Sequence, residues 1–273
     1  MDTSPVESVD RALLVLQALA EAGARGIGLA ELAADLGLNK STVHRSLAAL
    51  RFRGFVTQDP ASGTYLLGPS ATQLAEDFFG DENLPVLLHP ALVALCGAAA
   101  ELVHLGVLSG TQVVYLDKVE PERSVRVWSA VGRRRAAVTT ALGRALLAYR
   151  GTERSALPGY VRAASEIGSS TQGTSQSGTS ENGAIARPVL DADQVWSILE
   201  LARSRGYATE DQENEAGISC LAVPLLRAGV AIAAVSITAP AERMTPDRIE
   251  WLHTQIQQIL PPLLPPALSL PTP

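Results

Sequence analysis

The sequence predicts an α+β protein in which an N-terminal winged helix-turn-helix is followed by a linker helix and a larger domain of helices and antiparallel strands. Three observations predict it. Residues 28 to 68 carry helix, glycine-turn, helix and hairpin patterns in immediate succession. From Leu102 onward, strand patterns replace helix patterns. The chain has 273 residues, 47% of them hydrophobic, which suffices for about two domains with real cores.

Val6 to Ala22 carries Val9, Leu13, Leu16 and Ala20 at helical spacing, a face suited to packing behind a second pair of helices. In Ala30 to Leu36, residues Leu32, Ala33 and Leu36 share a face, and Gly37 follows where a turn needs positive φ. Asn39 is a good N-cap for the next helix, whose Val43, Leu47 and Leu50 recur at i, i+4, i+7. At 100° per residue Ser41, Arg45, Ala48 and Phe52 point the opposite way, flanked by Lys40 and His44. Hydroxyl, guanidinium and small apolar groups are what a major-groove helix uses on phosphates, guanine edges and thymine methyls. No acidic residue lies between Asp35 and Asp59, while Lys40, Arg45, Arg51 and Arg53 add positive charge. The candidate DNA contacts are therefore Lys40, Ser41, Thr42, His44, Arg45, Arg51 and Arg53. Phe55 to Gln58, the turn Asp59 to Gly63 and Thr64 to Leu67 read as a hairpin, the wing. The wing has no Lys or Arg, so its phosphate contacts would fall to backbone N–H groups, Thr57, Thr64 or Tyr65. An ordinary helical hairpin with a solvated basic face would explain the two helices alone, but not the hairpin and the acid-free window as well.

The formal net charge of −6 argues against non-specific coating of nucleic acid and confines DNA reading to a local basic patch. Cys96 and Cys220 give no disulfide framework and no metal-ligand spacing, as in a reducing cytosol. No signal peptide and no long apolar run is visible, so a cytoplasmic protein with no membrane partner, metal or cofactor is expected.

Ser70 to Phe79 and Pro85 to Glu101 read as helices either side of a polar break. Strands are expected over Leu102 to Leu108, Val113 to Val119, Ser124 to Ala130, Cys220 to Leu226 and Val230 to Thr238. Helices are expected over Thr139 to Tyr149, Asp191 to Arg205 (closed by Gly206) and Pro246 to Leu260. Ser165 to Gly183 is almost devoid of apolar residues and reads as a disordered loop, and the Pro-rich tail as loose. The expected boundaries are 1–68 for the winged domain, 69–84 for the linker helix, 85–262 for the α+β domain and 263–273 for the tail.

Five segments, in order, resemble the successive signatures of the IclR-type bacterial transcriptional regulators. They are Ser8 to Leu13, Asn39 to Arg45, Thr140 to Leu146, Glu213 to Cys220 and Arg243 to Pro246. The resemblance implies a winged helix-turn-helix, a linker helix and a GAF-like C-terminal domain that binds a small metabolite. It also implies a homodimer, or a dimer of dimers, on near-palindromic double-stranded operator DNA. Carried over by position, the effector-lining residues are Ala141, Leu142, Glu210, Cys220, Ser236 and Thr238, and the effector class implied is an organic or aromatic acid. Three features depart from the family pattern: Ala136-Ala137-Val138-Thr139 replaces a segment that often carries Pro and His, Glu210 stands where Asp is commoner, and Ser165 to Gly183 is longer and poorer in apolar residues than is usual.

Other roles exist for these residues. Ser236 and Thr238 alternate with Val235 and Ile237 and would face solvent on a half-buried strand; Glu210 to Glu215 would serve as a solvated helix start or a turn; Cys220 would be a small buried hydrophobe. A competing function is a small-molecule enzyme with Cys220 as nucleophile, His104 or His253 as base and Glu210 as orienter, although no spacing singles out such a triad.

Overall fold

The computed structural model describes residues 4–79, 83–123, 127, 129–171 and 190–272. The chain divides into two compact units, Met1–Asn83 and Leu84–Pro273.

The first unit begins with α1 (Glu7–Ala22), α2 (Leu29–Asp35) and α3 (Lys40–Phe52). Val15 and Leu19 of α1 are buried against Leu32 and Ala33 of α2 and Val43 and Leu47 of α3, as the apolar spacing requires. Gly37 makes the turn at φ +62°. Asn39 stands at the N-cap of α3, but its side chain makes no capping bond there. The wing is β1 (Val56–Gln58) against β2 (Tyr65–Leu67), with Thr57 opposite Leu66. Asp59 closes the turn by accepting from the Ala61 and Ser62 N–H groups at 2.7 and 2.8 Å. Ile27 exchanges backbone bonds of 3.0 and 2.9 Å with Tyr65, so the segment before α2 adds a bridge to the wing. The unit closes with α4 (Pro69–Phe79).

In the second unit α5 (Leu84–Ala99) leads into β3 (Leu102–Ser109), β4 (Gln112–Val119), β5 (Arg134–Ala136) and α6 (Ala141–Tyr149). There follow α7 (Leu157–Thr171), α8 (Ala192–Arg205), β6 (Ala208–Asp211), β7 (Ile218–Arg227), β8 (Val230–Pro240) and α9 (Pro246–Ile259). Among the described residues these strands form one sheet in the order β5-β4-β3-β8-β7-β6, antiparallel at every pairing. Strand alternation sorts two cores. Val103, Leu105, Leu221, Val223, Val235 and Ile237 pack with α5 and α9, whereas Val113, Tyr115, Ala222 and Ala234 pack with α6 and α8.

Three expectations need correction. Residues 165–171, read as loop, continue α7 to Thr171, because Leu157, Tyr160, Val161 and Ala164 anchor its earlier turns and the helix propagates from them. The rest of that segment, 172–183, lies outside the described residues. The tail is not loose: Leu268 is buried, Leu270 packs on the α5/α9 core, and Ser269 exchanges backbone bonds of 2.8 and 2.9 Å with Leu226. Its prolines disfavour helix but suit an extended strap, and the leucines between them supply the anchor. The strand expected over 124–130 falls partly on residues outside those described, and the strand that pairs with β4 beyond the turn is β5.

Candidate functional site

The outward face of α3 is bare. Lys40, Ser41, His44, Arg45 and Ala48 are exposed, as are Arg51, Phe52 and Arg53 at its C-terminal end, while Thr42 is half-buried. Arg51 donates to Gln58 Oε1 at 3.1 Å, which ties the end of α3 to β1. Tyr65 is buried in the small core and so is not available to a phosphate, which corrects one expected contact of the wing. Thr57 is exposed.

In the second unit, register and alternation bring one set of polar side chains to the α6 face of the sheet. Glu210 pairs with Cys220 and Cys220 with Thr238; in the next row Ala222 pairs with Ser236 and Ser236 with His104. Ser236 and Thr238 are 2% and 5% exposed, so neither faces solvent. Glu210 is 2% exposed, which likewise rules out a solvated turn there. The groups form a chain. Cys220 Sγ, which also bonds Glu210, lies 3.3 Å from Thr238 Oγ1. Thr238 Oγ1 lies 3.4 Å from His104 Nδ1, and His104 Nε2 lies 2.8 Å from Ser129 Oγ. The His104 and Tyr115 rings stand 4.6 Å apart, centroid to centroid.

The helix above this row is set by its start. Thr140 caps α6 by accepting from the Gly143 N–H at 3.1 Å, leaving the first-turn N–H groups of Ala141 and Leu142 without helical partners. Gly143 is required for closeness: a Cβ there would run into the Ala137 backbone. Arg144, buried on α6, donates to Val138 O at 2.9 Å, to Thr209 O at 2.7 Å and to Glu213 Oε1 at 2.9 Å. It thereby fixes α6 to β6 and to the acidic segment after it. Glu210 Oε1 accepts from the Asn214 N–H at 2.9 Å.

Burial governs the charge states. It pushes the Glu210 carboxyl up to about 7, against the lowering effect of the Asn214 bond. It holds His104 down at about 3, helped by the nearby Lys118 and Arg133 charges, so the imidazole is neutral. It drives the Cys220 thiol well above its ordinary value, and the Glu210 charge adds to that. Near pH 7 Cys220, Thr238, His104 and Ser236 are therefore neutral hydrogen-bonding groups, while Glu210 is poised between its protonated and ionised forms.

Burial holds the Cys220 thiol protonated, and no histidine touches it, so the triad with His104 or His253 as base is not assembled. His104 reaches Cys220 only through Thr238, and His253 stands on α9, beside Tyr207 on the other face of the sheet. Among the described residues no group of three or more His, Cys, Asp or Glu is placed to hold a metal, and no helix is long and apolar enough to cross a membrane. Of the side chains in the row, reasoning from sequence missed Tyr115 and Ser129 altogether and considered His104 only as a base. Alternation with Val103 and Leu105 places His104 on the polar face, but only the register across β8 brings it to Ser236 and Thr238.

Two family models match in tandem: the IclR helix-turn-helix domain over residues 8–60 and the bacterial transcriptional regulator IclR C-terminal domain over residues 80–260. The chain belongs to the IclR family. KdgR, an HTH-type transcriptional regulator of Escherichia coli strain K12, is 30% identical to this regulator over 266 residues, covering 95% of this chain and 94% of that protein. The fold matches the crystal structure of Thermotoga maritima IclR with a TM-score of 0.67 at 24% identity, covering 94% of this chain and 97% of that one. It also matches an IclR homologue from Microbacterium hydrocarbonoxydans complexed with 4-hydroxybenzoate, with a TM-score of 0.64 at 22% identity and coverage of 92% and 97%. The chain is thus an IclR-type transcriptional regulator with an N-terminal helix-turn-helix and a C-terminal ligand-binding domain.

Proposed function

We propose that this regulator binds operator DNA through the exposed face of α3 and that a small hydroxy or phenolic acid, bound under α6, sets its operator affinity. The observation that carries the effector half is the row of polar side chains on one face of the sheet, with Glu210, Thr238, His104 and Ser236 buried and Cys220 half-buried between them. Two cations near the row are already engaged: Arg144 by two carbonyls and Glu213, and Lys118 by Ser129 O and Glu120. A ligand carboxylate would therefore be held by neutral donors, the Ser236 and Thr238 hydroxyls and the Ala141 and Leu142 N–H groups at the start of α6. Glu210 would accept from the ligand hydroxyl when ionised, or donate to the carboxylate when protonated. The 4-hydroxybenzoate held by the Microbacterium homologue belongs to this class.

The DNA half rests on α3, where Ser41, Thr42, His44 and Arg45 reach the groove while Lys40, Arg51 and Arg53 supply phosphate contacts. The regulator acts as a homodimer or dimer of dimers on a near-palindromic site, with α4 as the linker, and the ligand shifts operator affinity by no more than its differential affinity for two states. The test is a thermal-shift screen against hydroxy and aromatic acids, followed by fluorescence anisotropy on DNA from the gene's own upstream region. An acid that raises the melting temperature and changes DNA affinity supports the proposal. An acid that is consumed instead would favour an enzyme, and DNA binding indifferent to every stabilising acid would remove the coupling.

A further inference from the structure

Phe52 is 82% exposed, the most exposed large hydrophobic side chain among the described residues. It closes α3 on the same stripe as Ser41, Arg45 and Ala48, within an arc of about 60° at helical spacing. Two features hold it there. The Arg53 guanidinium lies over the ring, 5.3 Å from its centroid, and Arg51 is drawn away to Gln58 on β1. One ring face is therefore backed by a cation placed to meet a phosphate, and the rest is open. A large apolar side chain between two arginines, on a helix face with no acidic residue, suits an apolar spot on a polyanion better than an apolar protein surface.

We propose that Phe52 is a specificity-determining residue for DNA that reads a thymine C5-methyl group, a pairing that apolar side chains make in the major groove. The inference rests on the reading of α3 as the DNA-contacting helix. Seven residues separate Arg45 from Phe52, about 10 Å of helix rise, or about three base steps of 3.4 Å. The thymine read by Phe52 therefore lies about three base pairs from the guanine that depends on Arg45.

The full chain is used to select duplexes from a random pool, and each thymine of the selected duplex is replaced singly by deoxyuridine, which removes the methyl and nothing else. Anisotropy titrations then compare wild type, Phe52→Ala and Arg45→Ala. The expected result is one thymine per half-site at which deoxyuridine weakens wild type about fourfold, the transfer free energy of one buried methyl, and leaves Phe52→Ala unaffected. Equal losses in wild type and Phe52→Ala at every position would overturn the assignment, as would a uniform loss for Phe52→Ala on all duplexes. A change of assembly state in Phe52→Ala without DNA, with no methyl dependence, would make Phe52 a protein contact instead. If no duplex is enriched, or Arg45→Ala binds the selected duplex like wild type, the DNA reading of α3 itself fails and takes this inference with it.

Discussion

Replacing Glu210 by Gln should remove a pH dependence of stability that is already written into the buried row. The Glu210 carboxyl titrates at about 7 in the folded chain against an ordinary value of 4.5. A carboxyl whose pKa is raised on folding contributes stability that is complete below about pH 4.5 and is lost as pH rises through about 7, because the unfolded chain ionises first. At about 1.4 kcal/mol per unit, the contribution falls by about 2–3 kcal/mol between pH 5 and pH 8. For a unit of this size that is roughly 5–10 °C of melting temperature. His104 works in the opposite sense. Its value of about 3 lies below the ordinary 6.5, so its contribution is complete above pH 6.5 and is lost on acidification. The two slopes partly cancel in wild type, and the informative quantity is the difference between wild type and Glu210→Gln, in which His104 is common to both. Urea unfolding followed by circular dichroism from pH 5 to pH 8 measures it. Wild type should lose stability relative to the Gln variant as pH rises; a difference flat with pH would mean that Glu210 is solvated and ionised throughout.

Other substitutions test the framework around the row. Gly143→Ala would force a Cβ into the Ala137 backbone and should cost about 3 kcal/mol by denaturant titration, with the α6 start displaced. Arg243→Ala would remove bonds of 2.8 and 2.6 Å from buried Glu101 and leave it only the Arg123 guanidinium at 4.0 Å, and should cost about 1–3 kcal/mol on the same scale. On the DNA side, Arg45→Ala should cost about 1–3 kcal/mol at the operator and relax one base position, whereas Lys40→Ala should weaken all sequences alike in anisotropy titrations.

Where apolar spacing decides a structure, the sequence was readable. The stripes of α1, α2 and α3, the Gly37 turn and the hairpin are local, and each side chain that fixes them lies within a few residues. The polar row was only half legible. That Ser236 and Thr238 share a face follows from alternation, but which face is buried depends on α6 and α8 arriving from elsewhere in the chain. The link from Thr238 on β8 through His104 on β3 to Ser129, which lies beyond β4, joins segments far apart in sequence, and no local pattern encodes their meeting. Composition misled at the tail, where prolines masked the anchoring Leu268 and Leu270, and at residues 165–171, where polar residues extend a helix nucleated by Leu157, Tyr160 and Val161.

The central claim is that two separate sites, α3 and the row under α6, are coupled. The most direct test titrates upstream DNA with wild type, Ser236→Ala/Thr238→Val and Arg45→Ala, each with and without the acid that most stabilises wild type, while calorimetry follows binding of that acid. The double substitution is needed because one lost hydroxyl, worth about 0.5–1.5 kcal/mol, can be replaced by water. The account predicts that the double variant binds DNA like ligand-free wild type but loses affinity for the acid and the response to it. Arg45→Ala should lose DNA affinity and keep that for the acid. Unchanged acid affinity in the double variant would place the effector elsewhere, and an acid that binds wild type without moving its DNA affinity would contradict the coupling itself.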